Sequence, residues 1–105
     1  MAQFDVYINP SRHSRESIPY VVEVQSNLLS ELQSRLVMPL AHPQFLTARG
    51  PKDLCPEVQV EGSIVRVLPY LAAAVSPRAL GRPVASLVHD ASVLARALDA
   101  VMSGV

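Results

Sequence analysis

Three histidines, one cysteine and nine acidic residues are the side chains with which this 105-residue chain could do metal, nucleophilic or acid–base chemistry. His13, His42 and His89 lie in separate stretches, with no metal-ligand spacing to one another or to Cys55. A zinc-type centre needs three or four converging ligands, so these positions read as solvated histidines. Cys55 stands between Leu54 and Pro56, ahead of a strand-like stretch. A nucleophilic thiol needs a base held beside it, a geometry that spacing does not supply, and a buried structural thiol is expected. The acidic residues Asp5, Glu16, Glu23, Glu31, Asp53, Glu57, Glu61, Asp90 and Asp99 are scattered, and no two have the form of a carboxylate dyad. Glu23, between Val22 and Val24, is expected to point to solvent from the polar face of its strand. The four glycines are isolated, so no phosphate-cradling loop is present. Read residue by residue, the chain indicates neither an enzyme nor a bound cofactor or metal.

Composition narrows the remaining classes. Half of the residues are apolar and 17% are charged, which argues against disorder and for one globular domain over residues 1–105. Formal net charge is zero and the sequence pI is about 6.8, whereas a domain built to grip phosphates usually carries a basic excess. Cys55 is the single cysteine, so no internal disulfide forms. The N-terminal stretch lacks the basic and long apolar regions of a secretory signal. The longest apolar candidate, Val65 to Val75, falls short of the roughly 20 residues of a membrane span and contains Arg66 and Pro69. A cytoplasmic protein is expected.

The elements that must position any site are strands first and then a helix. Apolar Phe4, Val6 and Ile8 alternate with polar neighbours, which predicts a strand over residues 3–8 with one buried face. Asn9-Pro10-Ser11 ends it, and the polar stretch through Ser17 reads as an exposed hairpin loop. Residues 20–24 predict a second strand, antiparallel to the first. Residues 25–33 read as an irregular connection with at most one helical turn, which leaves the adjacent Leu28 and Leu29 hard to bury. Residues 35–40 predict a third strand, with Pro39 marking an edge or a bulge. Alternation over 57–61, a turn at Gly62-Ser63 and a run over 64–68 give a hairpin, and residues 70–75 fit either a short strand or a helical turn.

The C-terminal helix is predicted over Val84 to Ser103, with Pro83 in its first turn. Val84, Leu87, Val88, Ala91, Leu94, Ala95, Leu98, Val101, Met102 and Val105 fall in steps of three and four and form one apolar stripe. Gly104 can stop the helix. Most of that stripe is core, but Val101, Met102 and Val105 sit at a chain end, where an exposed apolar cluster suggests a binding patch. Strands followed by a helix give an α+β fold with a mostly antiparallel sheet.

Several stretches together resemble the CcdB family of bacterial toxins, the toxin half of toxin–antitoxin modules. They are Gln3-Phe4 with Val6-Tyr7; Val22-Glu23-Val24-Gln25-Ser26, similar to the family's V-D-V-Q-S and followed by Leu28-Leu29; Leu36-Val37-Met38-Pro39-Leu40; Leu54-Cys55-Pro56; and the terminal Ser103-Gly104-Val105. They follow the family's order over nearly the whole chain. The resemblance implies a compact SH3-like antiparallel β-barrel, shared with the MazF/Kid toxins, carrying a long C-terminal helix. It also implies a homodimer that binds the A subunit of DNA gyrase, traps the cleaved-DNA complex and is neutralised by a CcdA-like antitoxin. No catalytic site is implied, and nucleic-acid contact is expected only from the toxin–antitoxin complex, which would regulate its own transcription. The gyrase-binding positions it carries over are Leu28, Leu29, Asp99, Met102, Ser103, Gly104 and Val105.

Two positions depart from the pattern. The best-known member ends in Trp-Gly-Ile, and Ser103 stands where that Trp would be. A buried Trp removes about 150–250 Å² from water and an interface hot spot is worth about 2–4 kcal/mol. Asp99 likewise stands where that member has a neutral amide. Two further readings therefore stay open: a non-toxic or retargeted homologue that only binds antitoxin, and a MazF-like endoribonuclease, against which the zero net charge argues.

Overall fold

The structure, a computed structural model, describes residues 2–25, 34–45 and 54–103. Seven strands precede one helix: β1 (Asp5–Ile8), β2 (Tyr20–Glu23), β3 (Arg35–Ala41), β4 (Glu57–Val60), β5 (Ser63–Val67), β6 (Ala73–Val75), β7 (Ala85–Ser86) and α1 (Ala91–Ser103). All pairings are antiparallel, in the order β4-β5-β3-β2-β1-β7, with β6 also on β3. The long strand β3 makes this possible. One edge carries β2, while the other carries β6 along residues 35–37 and β5 along residues 40–41. That change of partner curls the sheet into a nearly closed barrel, and together with α1 it gives the α+β architecture that the strand-then-helix pattern predicts. No helix among the described residues is long and apolar enough to cross a membrane.

The barrel interior is filled by Val6, Val22, Met38, Leu40, Val58, Val60, Val65 and Val67, closed by Leu87 and by Leu94 of α1. In β4 the pattern is clean: Val58 and Val60 point inward while Glu57 and Gln59 are exposed. The hairpin predicted there is present, with its turn one residue earlier than expected. Val60 pairs with Ser63, so Glu61 and Gly62 form the two-residue loop, with φ of 50° and 83°. Positive φ at both positions is what a type I′ turn requires, and its twist matches the flanking strands.

Five expectations are corrected. First, β1 does not bury Phe4, Val6 and Ile8 on one face: Val6 and Tyr7 are both fully buried and Ile8 is half exposed. A second small core of Tyr7, Val21, Val37 and Leu80 covers the outer face, so burial is two-sided and alternation fails. Second, Glu23 is 3% exposed rather than solvent-facing, because it lies on that covered face. Third, Pro39 sits in an interior strand. It falls between the residues that pair with β6 and those that pair with β5, so its missing N–H lies where the edge changes partner; its carbonyl still accepts from Leu68 N at 3.0 Å.

Fourth, α1 begins at Ala91, not Val84. Val84 N donates to Val6 O at 2.7 Å and Leu87 N to Phe4 O at 2.8 Å, which holds residues 84–87 extended along the free edge of β1. Ser86 Oγ then accepts from Val88 N, starting a 3₁₀ turn, Val88–Asp90, that leads into the helix. Tertiary pairing has overridden a helical period. Fifth, the apolar stripe is correspondingly narrower: Val88 and Ala95 are exposed, and Ala97, which the period omitted, is fully buried. The ambiguous stretch 70–75 holds both readings, a 3₁₀ turn at Pro69–Leu71 followed by β6.

The turn geometry makes a direct prediction. Gly62→Ala meets no atom within 4 Å, so its effect isolates the φ of 83° and should destabilise by about 1 kcal/mol. Glu61→Asn, which suits positive φ, should stabilise by a few tenths of a kcal/mol. Urea unfolding midpoints check both; equal midpoints would mean that the loop does not adopt this turn.

Candidate functional site

Helix α1 is seated on the barrel through Leu94, Ala97 and Leu98 and packs against the turn Pro69–Leu71. Ser92, Arg96 and Asp99 face solvent, as their place off the stripe predicts. Beyond Leu98 the apolar pattern continues while exposure rises. Val101 is 38% exposed and Met102 80% exposed, and Ser103 ends the helix. The turn that abuts α1 adds two half-exposed apolar side chains, Tyr70 and Leu71, which sequence reasoning did not single out. Their signal was present as Pro69-Tyr70-Leu71, an apolar run too short for either period to claim. Of the seven expected binding positions, Asp99 and Met102 are exposed on the last turns of α1. Leu28, Leu29, Gly104 and Val105 lie outside the described residues.

The two ends from which the Leu28–Leu29 connection departs are described, and several fastenings converge there. The β2–β3 register pairs Glu23 with Val37, and Val24 N continues it with a bond to Leu36 O at 2.9 Å. Side chains then stand in for the next rung. Leu36 N donates to Gln25 Oε1 at 3.1 Å, and Gln3 Nε2 donates to Val24 O at 3.2 Å. The N-terminal turn is tied in as well. Asp5 N donates to Ala2 O at 3.1 Å, and Phe4 N donates to Glu23 O at 2.6 Å. Phe4 adopts φ 71°, a strained value for an aromatic residue that persists because its N–H and C=O are both held and its ring packs on the core.

On the outer face of β2 and β3, the Arg35 guanidinium lies 3.6 Å from the Glu23 carboxylate, both nearly buried. Tyr7 places its hydroxyl 3.5 Å from the same carboxylate as a donor. Burial raises the Glu23 pKa above the ordinary glutamate value, and Arg35 opposes that shift. Burial likewise pushes Tyr7 from 10.0 up to about 12, with the negative charges of Glu23 and Asp5 adding to it. On the far side of the hairpin, burial raises the Cys55 thiol, with Arg66 opposing; a thiol held protonated is a poor nucleophile, in keeping with its expected structural role. An open groove of about 440 Å³ is lined by Glu57, Val58, Gln59, Ile64 and Asp90, with no histidine or cysteine among them. Among the described residues no three His, Cys, Asp or Glu side chains are grouped as a metal centre requires.

Tyr7 gives a pH test with a definite sign. Its folded pKa is raised, so its contribution to stability is complete below pH 10 and is lost as pH rises through about 12. Thermal melts should fall across that window, and Tyr7→Phe should flatten the fall and remove the corresponding phenolate absorbance step. An unchanged alkaline profile in Tyr7→Phe would contradict a buried, protonated phenol.

The residues fastened at this junction, Gln3, Phe4, Glu23, Gln25 and Arg35, include those in which the sequence resembles one toxin family, and that family's model, CcdB protein, matches residues 3–104. With a nearly closed antiparallel barrel beneath one C-terminal helix, and a match over almost the full length, the chain belongs to the CcdB family of toxin–antitoxin toxins.

Proposed function

We propose that this protein is the toxin of a type II module that binds the A subunit of DNA gyrase, holds it in the cleaved-DNA complex and is neutralised by a CcdA-like antitoxin. The observation that carries this reading is the end of α1, where Val101 and Met102 turn apolar surface to solvent. An exposed apolar tip on an otherwise amphipathic helix is the mark of a surface that a partner covers. Asp99, Met102, Ser103, Gly104 and Val105 form the contact set at the tip, joined by Leu28 and Leu29. A homodimer would set two such tips about a twofold axis, complementary to a partner that is itself symmetric. Action needs no catalytic residue: a ligand that prefers the cleaved state shifts gyrase toward it by its differential affinity alone. A cytoplasmic location follows from that target, and the toxin–antitoxin complex would regulate its own transcription.

Ser103 favours a second reading in which the homologue binds antitoxin without poisoning gyrase, because a serine cannot supply the contact area of a tryptophan at that position. Inducible expression separates the two. The toxin reading expects growth arrest with induction of the DNA-damage response, relieved by deleting Ser103 to Val105 and weakened about 30-fold in gyrase affinity by Met102→Asp. Harmless expression alongside tight antitoxin binding would establish the second reading, and full toxicity after the deletion would contradict the helix tip as the contact.

A further inference from the structure

Burying an ion pair is seldom explained by stability, because desolvating both charges offsets most of their attraction and well-packed apolar replacements are often as stable. Here the pair lies on the outer face of a barrel whose core occupies the inner one. Its placement along the chain is informative. Glu23 is the last residue of β2 and Arg35 the first of β3, so the pair spans the mouth of the connection 24–34 that carries Leu28 and Leu29. Because Glu23 pairs in register with Val37, Arg35 reaches it diagonally on the same face. A slip of one residue would turn one of the charges inward among Val22, Met38 and Leu40. The charge pair therefore discriminates against the wrong register far more sharply than the valines around it do.

We propose that Glu23 and Arg35, supported by the Tyr7 hydroxyl, are positioning residues for gyrase recognition, fixing the β2–β3 register where the 24–34 connection leaves the sheet. The two glutamine side chains act beyond this clamp. Gln25 takes the Leu36 N–H and Gln3 takes the Val24 carbonyl, so the strands part at a defined rung. This inference rests on the gyrase reading, and its test separates the two. The double variant Glu23→Leu/Arg35→Met removes both charges without leaving either one buried alone. It should unfold cooperatively with an undiminished midpoint. It should also bind the purified gyrase A subunit at least about tenfold more weakly and exchange the Val24 and Leu36 amides at least about tenfold faster, with the β4–β5 hairpin unchanged. The reversed pair, Glu23→Arg/Arg35→Glu, should recover both toward the wild-type values.

A folded double variant with wild-type affinity and wild-type exchange overturns the proposal. Should the double variant not fold, the reversed pair decides: recovered protection supports the clamp, and fast exchange in a folded reversed pair refutes it. Failure of the wild-type protein to bind the A subunit would overturn the gyrase reading, and the exchange comparison would still decide whether the pair sets the register.

Discussion

The buried charge pair between Glu23 and Arg35 constrains the rest of this fold. On the outer face of a small barrel a carboxylate and a guanidinium could stand in solvent, but here both are nearly buried. The chain covers them. The segment after β6 turns through Pro77–Ala79, stabilised by Ser76 Oγ accepting from Arg78 N, and brings Leu80 to zero exposure against Tyr7, Val21 and Val37. That second layer makes β1 and β2 two-sided, and a two-sided β1 leaves only its far edge open. The short strand β7 fills that edge with backbone hydrogen bonds before α1 can begin. The burial of Tyr7 traces to this outer layer, and the late start of the helix to the β1 edge that β7 fills.

The helix is in turn set by where β7 releases the chain. Leaving the sheet at Ser86, the backbone makes one 3₁₀ turn and enters α1 with Leu94 and Ala97 already over the barrel. Toward the end of its thirteen residues the helix becomes more exposed, so the final turn presents apolar surface of Val101 and Met102 to solvent. At the opposite side of the first hairpin, Asn9 does comparable work: its side chain bonds Ser14 Oγ, Ile18 O and Ser11 N and so ties the β1–β2 connection together.

Some of this was legible in the sequence for clear physical reasons. The 57–67 hairpin read correctly because β4 is buried on one face only, so period two survives and Gly62 marks the turn. Val101 and Met102 are exposed at the helix end as read, because a 3.6-residue period does not depend on what lies beneath it, while Val105 lies outside the described residues. Cys55 was legible as a buried thiol because it stands between Leu54 and Pro56 ahead of a half-buried strand. Glu23 was not legible: alternation places it on the face opposite Val22 and Val24, and that face is made interior by side chains such as Val75 and Leu80, more than fifty residues away. The start of α1 was not legible because Val84 and Leu87 satisfy a helical stripe as well as a strand, and the choice is made by the open edge of β1. Family resemblance added what periodicity lacked, namely which residues are expected to meet a partner, while the structure gave Gln3 and Gln25 a mechanical reason to be there.

The action proposed for this barrel and helix is to hold gyrase on cleaved DNA. The most direct measurement incubates the purified protein with DNA gyrase and supercoiled plasmid, then denatures the enzyme and scores linear DNA. The account predicts that linear DNA accumulates with protein concentration and that adding a CcdA-like antitoxin suppresses it. No linear DNA at concentrations where the protein is shown to bind the A subunit would contradict it.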